Sequence, residues 1–297
     1  MIKLLKPTKS VGGVTLTNHM ILAAGVLGTT ASSLLRMLKL GAGGVVTKSI
    51  GPYPKPGHNG PTLIPITGGL LNAMGLPNPS HEFKTEIEPL LSQNKNVIIS
   101  IFGGSPTEFE QVAEWFPNAN AFELNLSCPH AKGYGSAIGT NPKIVQECTE
   151  IVKTFNKPVW VKLTPNVEDI SIIGKSAEKG GADALVAINT VKAMRISTGM
   201  RRPVLGNVYG GLSGPAIFPI AVNAVYNLYE SCSIPIIGCG GISNADNVIE
   251  MMMAGASAVE IGSSIYNNIN IFNEISNTLY SPTGIPDSEI VGCAHNI

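Results

Sequence analysis

The chain is poor in charge, in aromatic residues and in cysteine. Charged residues make up 13% of its 297 residues and aromatics 6%, and twenty Lys+Arg balance twenty Asp+Glu. No basic run stands out, which excludes nucleic acid as the main partner, because neutralising phosphates takes clustered Lys and Arg. No window approaches the roughly 18 consecutive apolar residues of a spanning helix, so no membrane partner is expected. The opening MIKLLKPTKS carries charge with no apolar stretch behind it, which argues against a secretory signal. Cys128, Cys148, Cys232, Cys239 and Cys293 include no CxxC pair and no metal-ligand spacing. That usage suits a reducing, cytoplasmic location, and no metal site is expected in the chain.

What is present is a repeated alternation. Short β-rich apolar runs occur at Met20–Gly25, Gly44–Ser49, Val97–Phe102, Ala121–Leu126, Pro158–Leu163, Asp183–Ile188, Pro235–Cys239 and Ser257–Ile261, with helical patterns between them. Continuous apolarity is the mark of strands covered on both faces. Eight such runs predict a (β/α)₈ TIM barrel, a fold that uses about 250 residues for one domain, and residues 1–297 are read as that single domain. A doubly wound open sheet is the rival, but no run is followed by G-x-G-x-x-G, and Gly238-Cys239-Gly240-Gly241 lacks the spacing. A weak repeat supports the barrel: KLGAGGVVTKS, EKGGADALVAINT and MAGASAVEIGSS share a helix end, Gly-Ala, an apolar strand and a polar tip. Glycine there suits a helix C-cap. Long intervals after the second and sixth runs, and a glycine-bearing segment after the fourth, predict extended loops at the end of the barrel where active sites are built.

The polar residues gather at those strand ends. Lys48 and Lys162 close otherwise apolar runs, and a lysine at a barrel mouth implies an anion or electron-rich ligand unless its amine simply reaches water. Glu123 shares a parity with Asn125, as a counter-ion for one lysine or as a plain polar residue of the interior. Asn72, Asn125 and Asn189 each offer donors and an acceptor, and together they suit a planar ligand edged by C=O and N–H groups. Cys128, directly after the fourth run, is open to three readings: base, nucleophile or small buried hydrophobe. The remaining cysteines are read as structural, with a backbone role for the turn around Cys239. Glycines at 210–215, 240–241 and 262 suit a phosphate site, commonly built after strands seven and eight of such barrels.

VVTKS, LLNAMGLPN, ELNLSCP, VKLTPN, AINT, GGLSGPA, IGCGGI and GASAVEIGSS occur in the order found in class 1 dihydroorotate dehydrogenases. From about Asn18 to Ser264 the chain resembles that family, and the INT and GGLSGPA forms resemble its 1B group most. The resemblance implies oxidation of (S)-dihydroorotate to orotate in de novo pyrimidine biosynthesis, with a hydride to N5 of one FMN per chain and a proton to a cysteine base. It further implies a homodimer joined to an electron-transfer subunit carrying FAD and a 2Fe-2S cluster, as a heterotetramer that reduces NAD⁺. By the same resemblance Cys128 is the catalytic base, and Lys48, Asn72, Ala73, Met74, Gly75, Leu76, Asn125, Asn189 and Thr190 contact substrate. Ala24, Lys48, Ser49, Ser100, Asn125, Lys162, Ile188, Gly214, Gly240, Gly241, Gly262 and Ser263 hold FMN.

Several positions depart from the pattern. Ala24 stands where Ser is frequent, Ser100 where the 1B group often has Asn, and the loop text PTLIP lacks a usual Pro-Arg pair. His130 replaces the Asn usual after SCP, and SCPH is also the form in dihydropyrimidine dehydrogenases. A flavin barrel acting on a dihydrouracil-type substrate is therefore the nearest alternative. A non-catalytic flavin carrier and a flavin-free sugar-phosphate aldolase or isomerase are more distant ones.

Overall fold

The computed structural model describes residues 5, 10–93, 96–126, 136–280 and 284–296 of the chain. Eight parallel strands form a closed barrel in sequence order: β1 Met20–Leu22, β2 Gly44–Val46, β3 Val97–Ile101, β4 Phe122–Asn125, β5 Val159–Leu163, β6 Ala184–Ala187, β7 Ile236–Cys239 and β8 Ala256–Ile261. Closure is made by β8 against β1, with Val259 opposite Met20. Each apolar run of the sequence supplies one strand. The first two runs are shorter than their text suggests: their strands end at Leu22 and Val46, although the Ala23 amide still donates to the Ile261 carbonyl at 3.0 Å.

One main helix follows each strand: α1 Ala31–Lys39, α2 Phe83–Gln93, α3 Pro106–Glu114, α4 Pro142–Lys153, α5 Ile170–Lys179, α6 Phe218–Ser231, α7 Ala245–Met253 and α8 Ile271–Leu279. Side-chain oxygens start several of them by accepting an orphan amide, a bond typical of N-caps. Asn141 accepts from Lys143 and Ile144, Asp169 from Ser171, and Asn244 from Asn247. The repeat seen in the sequence ends α1, α5 and α7 in the same way. Gly41, Gly181 and Gly255 follow the three helix ends with φ of 97°, 89° and 120°, the left-handed region that a Cβ disfavours.

Strand alternation splits the core into two shells. Met20, Leu22, Val45, Ile99, Phe122 and Leu124 pack outward against the helices. Ile21, Val46, Ile98, Trp160, Val186 and Ile237 pack inward. A hairpin of Ser10–Val11 and Val14–Thr15 seals the N-terminal end of the cylinder: Val11, Val14 and Leu16 join the inner shell, and the buried Trp160 indole donates to the Gly12 carbonyl at 2.9 Å. Among the described residues that end is filled by hydrocarbon, and the polar side chains of the barrel gather at the opposite end.

The long intervals after β2 and β6 build one structure between them. Leu63–Ile66 and Gly69–Asn72 from the first, with Val191–Ala193 and Gly210–Ser213 from the second, form a four-stranded antiparallel sheet. It roofs the C-terminal end of the barrel. The segment after β4 includes a short helix at Ser136–Gly139.

The repeat glycines yield a graded prediction. An alanine Cβ at position 181 would meet nothing closer than 3.4 Å, whereas at 255 it would lie 2.3 Å from Cγ of Tyr229. Gly181→Ala should therefore cost only the left-handed backbone penalty, about 1–2 kcal/mol. Gly255→Ala should cost more because a ring must also move. Thermal melts of the two variants check the order, and equal losses would contradict it.

Candidate active site

A cleft of about 1260 Å³, including the space open to solvent, lies between the barrel end and the roof sheet. Its walls come from widely separated stretches of chain. Ala23–Val26 arrive from the end of β1, Lys48 and Ser49 from β2, Asn125 from β4, Lys162 from β5 and Ile188–Thr190 from β6. Cys239 ends β7 and Gly240–Ile242 follow it, and Glu260, Gly262 and Ser263 belong to β8 and its exit. Leu63, Leu70, Asn72, Met74, Gly75, Leu76 and Ser213 descend from the roof.

A chain of polar side chains crosses the barrel mouth. Asn189 donates its amide to Asn125 Oδ1 at 3.3 Å, and Asn125 donates to Ser49 Oγ at 3.0 Å. Ser49 is in turn 2.9 Å from Ser100 Oγ, and the Ser100 amide donates to Thr47 Oγ1 at 3.0 Å. Asn189 follows β6, Asn125 ends β4, Thr47 and Ser49 follow β2 and Ser100 lies near the end of β3, so the relay ties these four strands together. Asn72 donates to the Gly211 carbonyl at 3.2 Å, which joins the two halves of the roof. Asn189 Oδ1 also accepts from the Thr190 amide at 2.8 Å, fixing the direction of that side chain.

Below the relay the floor is ionic. Lys162 Nζ meets Glu260 Oε2 at 2.5 Å, with the side chains 6% and 0% exposed. Glu123 lies beside them, fully buried. Burial, reinforced by the negative charge of Glu260, pushes the Glu123 carboxyl well above its ordinary range, with Lys162 opposing. Burial works against the Lys162 charge, but Cys239, Glu260 and Glu123 outweigh it and hold the lysine above its usual value. The Cys239 thiol is pushed up to about 12, chiefly by burial. Desolvation disfavours whichever form is charged, so these directions share one cause.

Of the residues expected to contact substrate, Lys48, Asn72, Met74, Gly75, Leu76, Asn125, Asn189 and Thr190 line the cleft. Ala73 does not; it is buried with Leu71 and Leu205. Of those expected to hold FMN, Ala24, Ser49, Lys162, Ile188, Gly240, Gly241, Gly262 and Ser263 line it alongside Lys48 and Asn125. Ser100 stands one layer back behind Ser49, and Gly214 sits against Gly69 at the root of the roof. Cys128 and His130 lie outside the described residues.

Among the lining side chains that the sequence did not assign to the site, Glu260 and Cys239 carry the most chemistry. Glu260 interrupts the eighth apolar run, and two positions before it Ala258 also faces the inner shell. That parity was the available signal. Cys239, read as part of a backbone turn, lines the cleft through a side chain with little exposure.

The lining fits a mononucleotide-sized planar cofactor on its own chemistry. Glycine and serine backbone lines the exits of β7 and β8, a Cβ on Gly25 would project into open space, and amide and ammonium donors cluster at the floor and mouth. Ser264 Oγ donates to the Ile242 carbonyl at 2.5 Å, which holds the two glycine-bearing turns together.

The family model for dihydroorotate dehydrogenase matches residues 7–282. The chain is 54% identical over 298 residues to the catalytic subunit of dihydroorotate dehydrogenase B (NAD⁺) from Methanocella arvoryzae, covering 99% of each. It is 51% identical over 270 residues to the subunit of the same name from Pyrococcus horikoshii, covering 89% of this chain and 88% of that one. Among solved structures it is similar in fold to a dihydroorotate dehydrogenase from Eimeria tenella crystallised with ferulenol. The TM-score is 0.82 and the identity 19%, over 97% of this chain and 88% of that one.

The floor makes a chemical prediction. A thiol held near 12 carries almost no thiolate at about pH 8, and thiolate is the reactive form. Iodoacetamide should therefore leave Cys239 of the native protein unmodified at that pH and label it readily once the protein is unfolded. Mass spectrometry of the peptides checks this, and fast native labelling would contradict the burial described.

Proposed function

The chain belongs to the dihydroorotate dehydrogenase family, and from that premise we propose that it oxidises (S)-dihydroorotate to orotate in de novo pyrimidine biosynthesis. The observation that carries the reading is the convergence of Lys48, Asn72, Asn125, Asn189 and Thr190 on one cleft above a lysine-bearing floor. A pyrimidine dione with a carboxylate presents alternating C=O and N–H groups and one negative charge. Primary amides and a hydroxyl match the first, and the half-buried Lys48 matches the second.

Desaturating the ring removes a proton from C5 and a hydride from C6. FMN, held by Ser49, Lys162, Ile188 and the Gly240, Gly241, Gly262 and Ser263 turns, would supply the two-electron acceptor that amino-acid side chains lack. Cys128 takes the C5 proton. A thiol with a reference pKa near 8.5 is only a few per cent ionised at neutral pH, so the proton transfer speeds up as the thiolate fraction grows. Asn125 and Asn189, linked to each other at 3.3 Å, would hold the ring in one orientation in the cleft. Lys162 would hold a fixed positive charge at the floor of that site, an electrostatic contribution made in advance by the fold.

Electrons leave through a partner. The relatives' names couple those catalytic subunits to NAD⁺, and for this chain we infer an electron-transfer subunit carrying FAD and a 2Fe-2S cluster. A homodimer of this chain with two such subunits makes a cytoplasmic heterotetramer. Among the described residues no helix is long and apolar enough to cross a membrane.

Anaerobic spectroscopy tests the proposal. The purified protein should be yellow, bleach on adding dihydroorotate, and stay yellow with dihydrouracil. A colourless protein, or bleaching by dihydrouracil alone, would refute the assignment. Cys128→Ser should retain FMN but bleach about 10²–10⁴ times more slowly, the usual weight of a positioned base. Stopped-flow reduction of wild type should accelerate from neutral to alkaline pH, and a flat profile would remove Cys128 from its role.

A further inference from the structure

The ionic floor has an imbalance of charge and of hydrogen bonds. Lys162, Glu123 and Glu260 are 4%, 0% and 1% exposed. The ammonium is spoken for by Glu260 Oε2. Both oxygens of Glu123 and the second oxygen of Glu260 meet no hydrogen-bond partner among the described residues. Two carboxylates and one ammonium would leave a net negative charge in an inner shell that is otherwise largely apolar. Burying an unpaired charge there costs several kcal/mol, and neighbouring carboxyls avoid it by keeping one proton between them.

We propose that Glu123 and Glu260 share a single proton around Lys162, so that the pocket floor presents one ammonium matched by one carboxylate. A proton on Glu123 gives it a donor, and the free oxygen of the adjacent Glu260 is the acceptor it lacks. One proton thus satisfies oxygens that are otherwise orphaned and cancels the surplus charge. The upward displacement of the Glu123 carboxyl by burial and by Glu260 agrees with this. Among the described residues, the other groups facing the triad are the Ser100 hydroxyl and the Cys239 thiol, the latter kept neutral by burial. The arrangement makes Glu123 a positioning residue. It touches no ligand, and it acts by holding the shared proton against Glu260, so that Lys162 faces one carboxylate charge rather than two.

The consequence is a floor whose charge is buffered. In Glu123→Gln, Lys162 keeps Glu260. In Glu260→Gln, Glu123 gives up its proton and takes over as counter-ion. This inference rests on the reading of the cleft as a flavin site only for its effect on the cofactor. The proton itself can be observed without it.

Two measurements on the purified protein test it. Infrared difference spectroscopy at neutral pH should show the carbonyl stretch of one buried protonated carboxylic acid, lost in Glu123→Gln and lost again in Glu260→Gln. No such band in the wild type, or its survival in Glu123→Gln, overturns the proposal. Redox titration of the bound flavin should give the wild-type midpoint potential in both variants, because the net charge of the floor is unchanged. If both carboxylates were ionised, each substitution would remove a negative charge and shift the potential positive, which also overturns the proposal. Lys162→Met, which removes the cation, should shift the potential negative. A protein without flavin, or no shift in Lys162→Met, would instead overturn the reading of the cleft and leave the infrared result to decide the proton. Should Glu260→Gln fail to fold, wild type and Glu123→Gln still give the deciding comparison.

Discussion

The structure turns on an ion pair placed where ion pairs are expensive. Lys162 and Glu260 meet at 2.5 Å inside the barrel, almost without contact with solvent. Desolvating two charges costs several kcal/mol each, and a well-packed pair of hydrophobic residues is often as stable or more so. Folding alone therefore does not account for the pair. Its position accounts for it better, because both residues form the floor of the cleft. A floor of hydrocarbon could seat a planar ring but could not respond to a change in its charge. A lysine at low dielectric can do so strongly, since charges interact more when water is excluded.

The rest of the fold reads as what such a floor requires. The inner shell is filled from the N-terminal end by Trp160, Ile98, Val46 and the hairpin residues Val11 and Val14, which keeps water from reaching the lysine from below. The polar relay from Asn189 through Asn125 and Ser49 to Ser100 spans four strands directly above. Hydrogen-bonded neighbours on rigid strands lose little freedom when a ligand binds, so the site is organised before it is filled. The residues that vary in depth follow the same logic. Ser100 and Glu123 occupy adjoining strands in register, and both support lining groups rather than touch the cleft.

Much of this was legible from the chain. Eight apolar runs became eight strands, because strands covered on both faces have few polar positions to confuse the pattern. The three Gly-Ala signals ended three helices, because a left-handed cap constrains residue type more tightly than most local features do. The lysines and asparagines were visible as polar residues at the ends of apolar stretches. What remained hidden depended on contacts distant in sequence. Glu123 was recognisable as an inward carboxylate, but its neighbour Lys162 is paired to Glu260, 98 positions further on. The parity of Glu260 with Ala258 in SAVEI turns its side chain inward but does not name its partner. The glycines of the sixth interval suggested a phosphate site, yet Gly210–Ser213 form a strand of the roof. Extended pairing with Gly69–Asn72 decided that outcome, and such pairing is invisible until the two loops meet. The role of Cys128 came from resemblance alone.

Floor and roof differ in how they are held, and that difference bears on how the cleft can work. The floor belongs to a closed barrel, where every strand has two partners and moving one side chain disturbs both shells. The roof is an open sheet of strands three or four residues long, with Leu63–Ile66 and Val191–Ala193 as its edges. Short open sheets are marginal by themselves and gain stability from what they cover. Yet the roof supplies Asn72, Met74 and Leu76, while the barrel supplies Asn125, Asn189 and Lys162. A ring entering from solvent must pass the roof and then be gripped by it, so adaptable contacts belong there. Charge stabilisation tolerates no such play, because its value depends on donors already aimed when the charge appears. Placing the ionic triad in the barrel and the entry contacts on the sheet gives each task the element whose stiffness suits it.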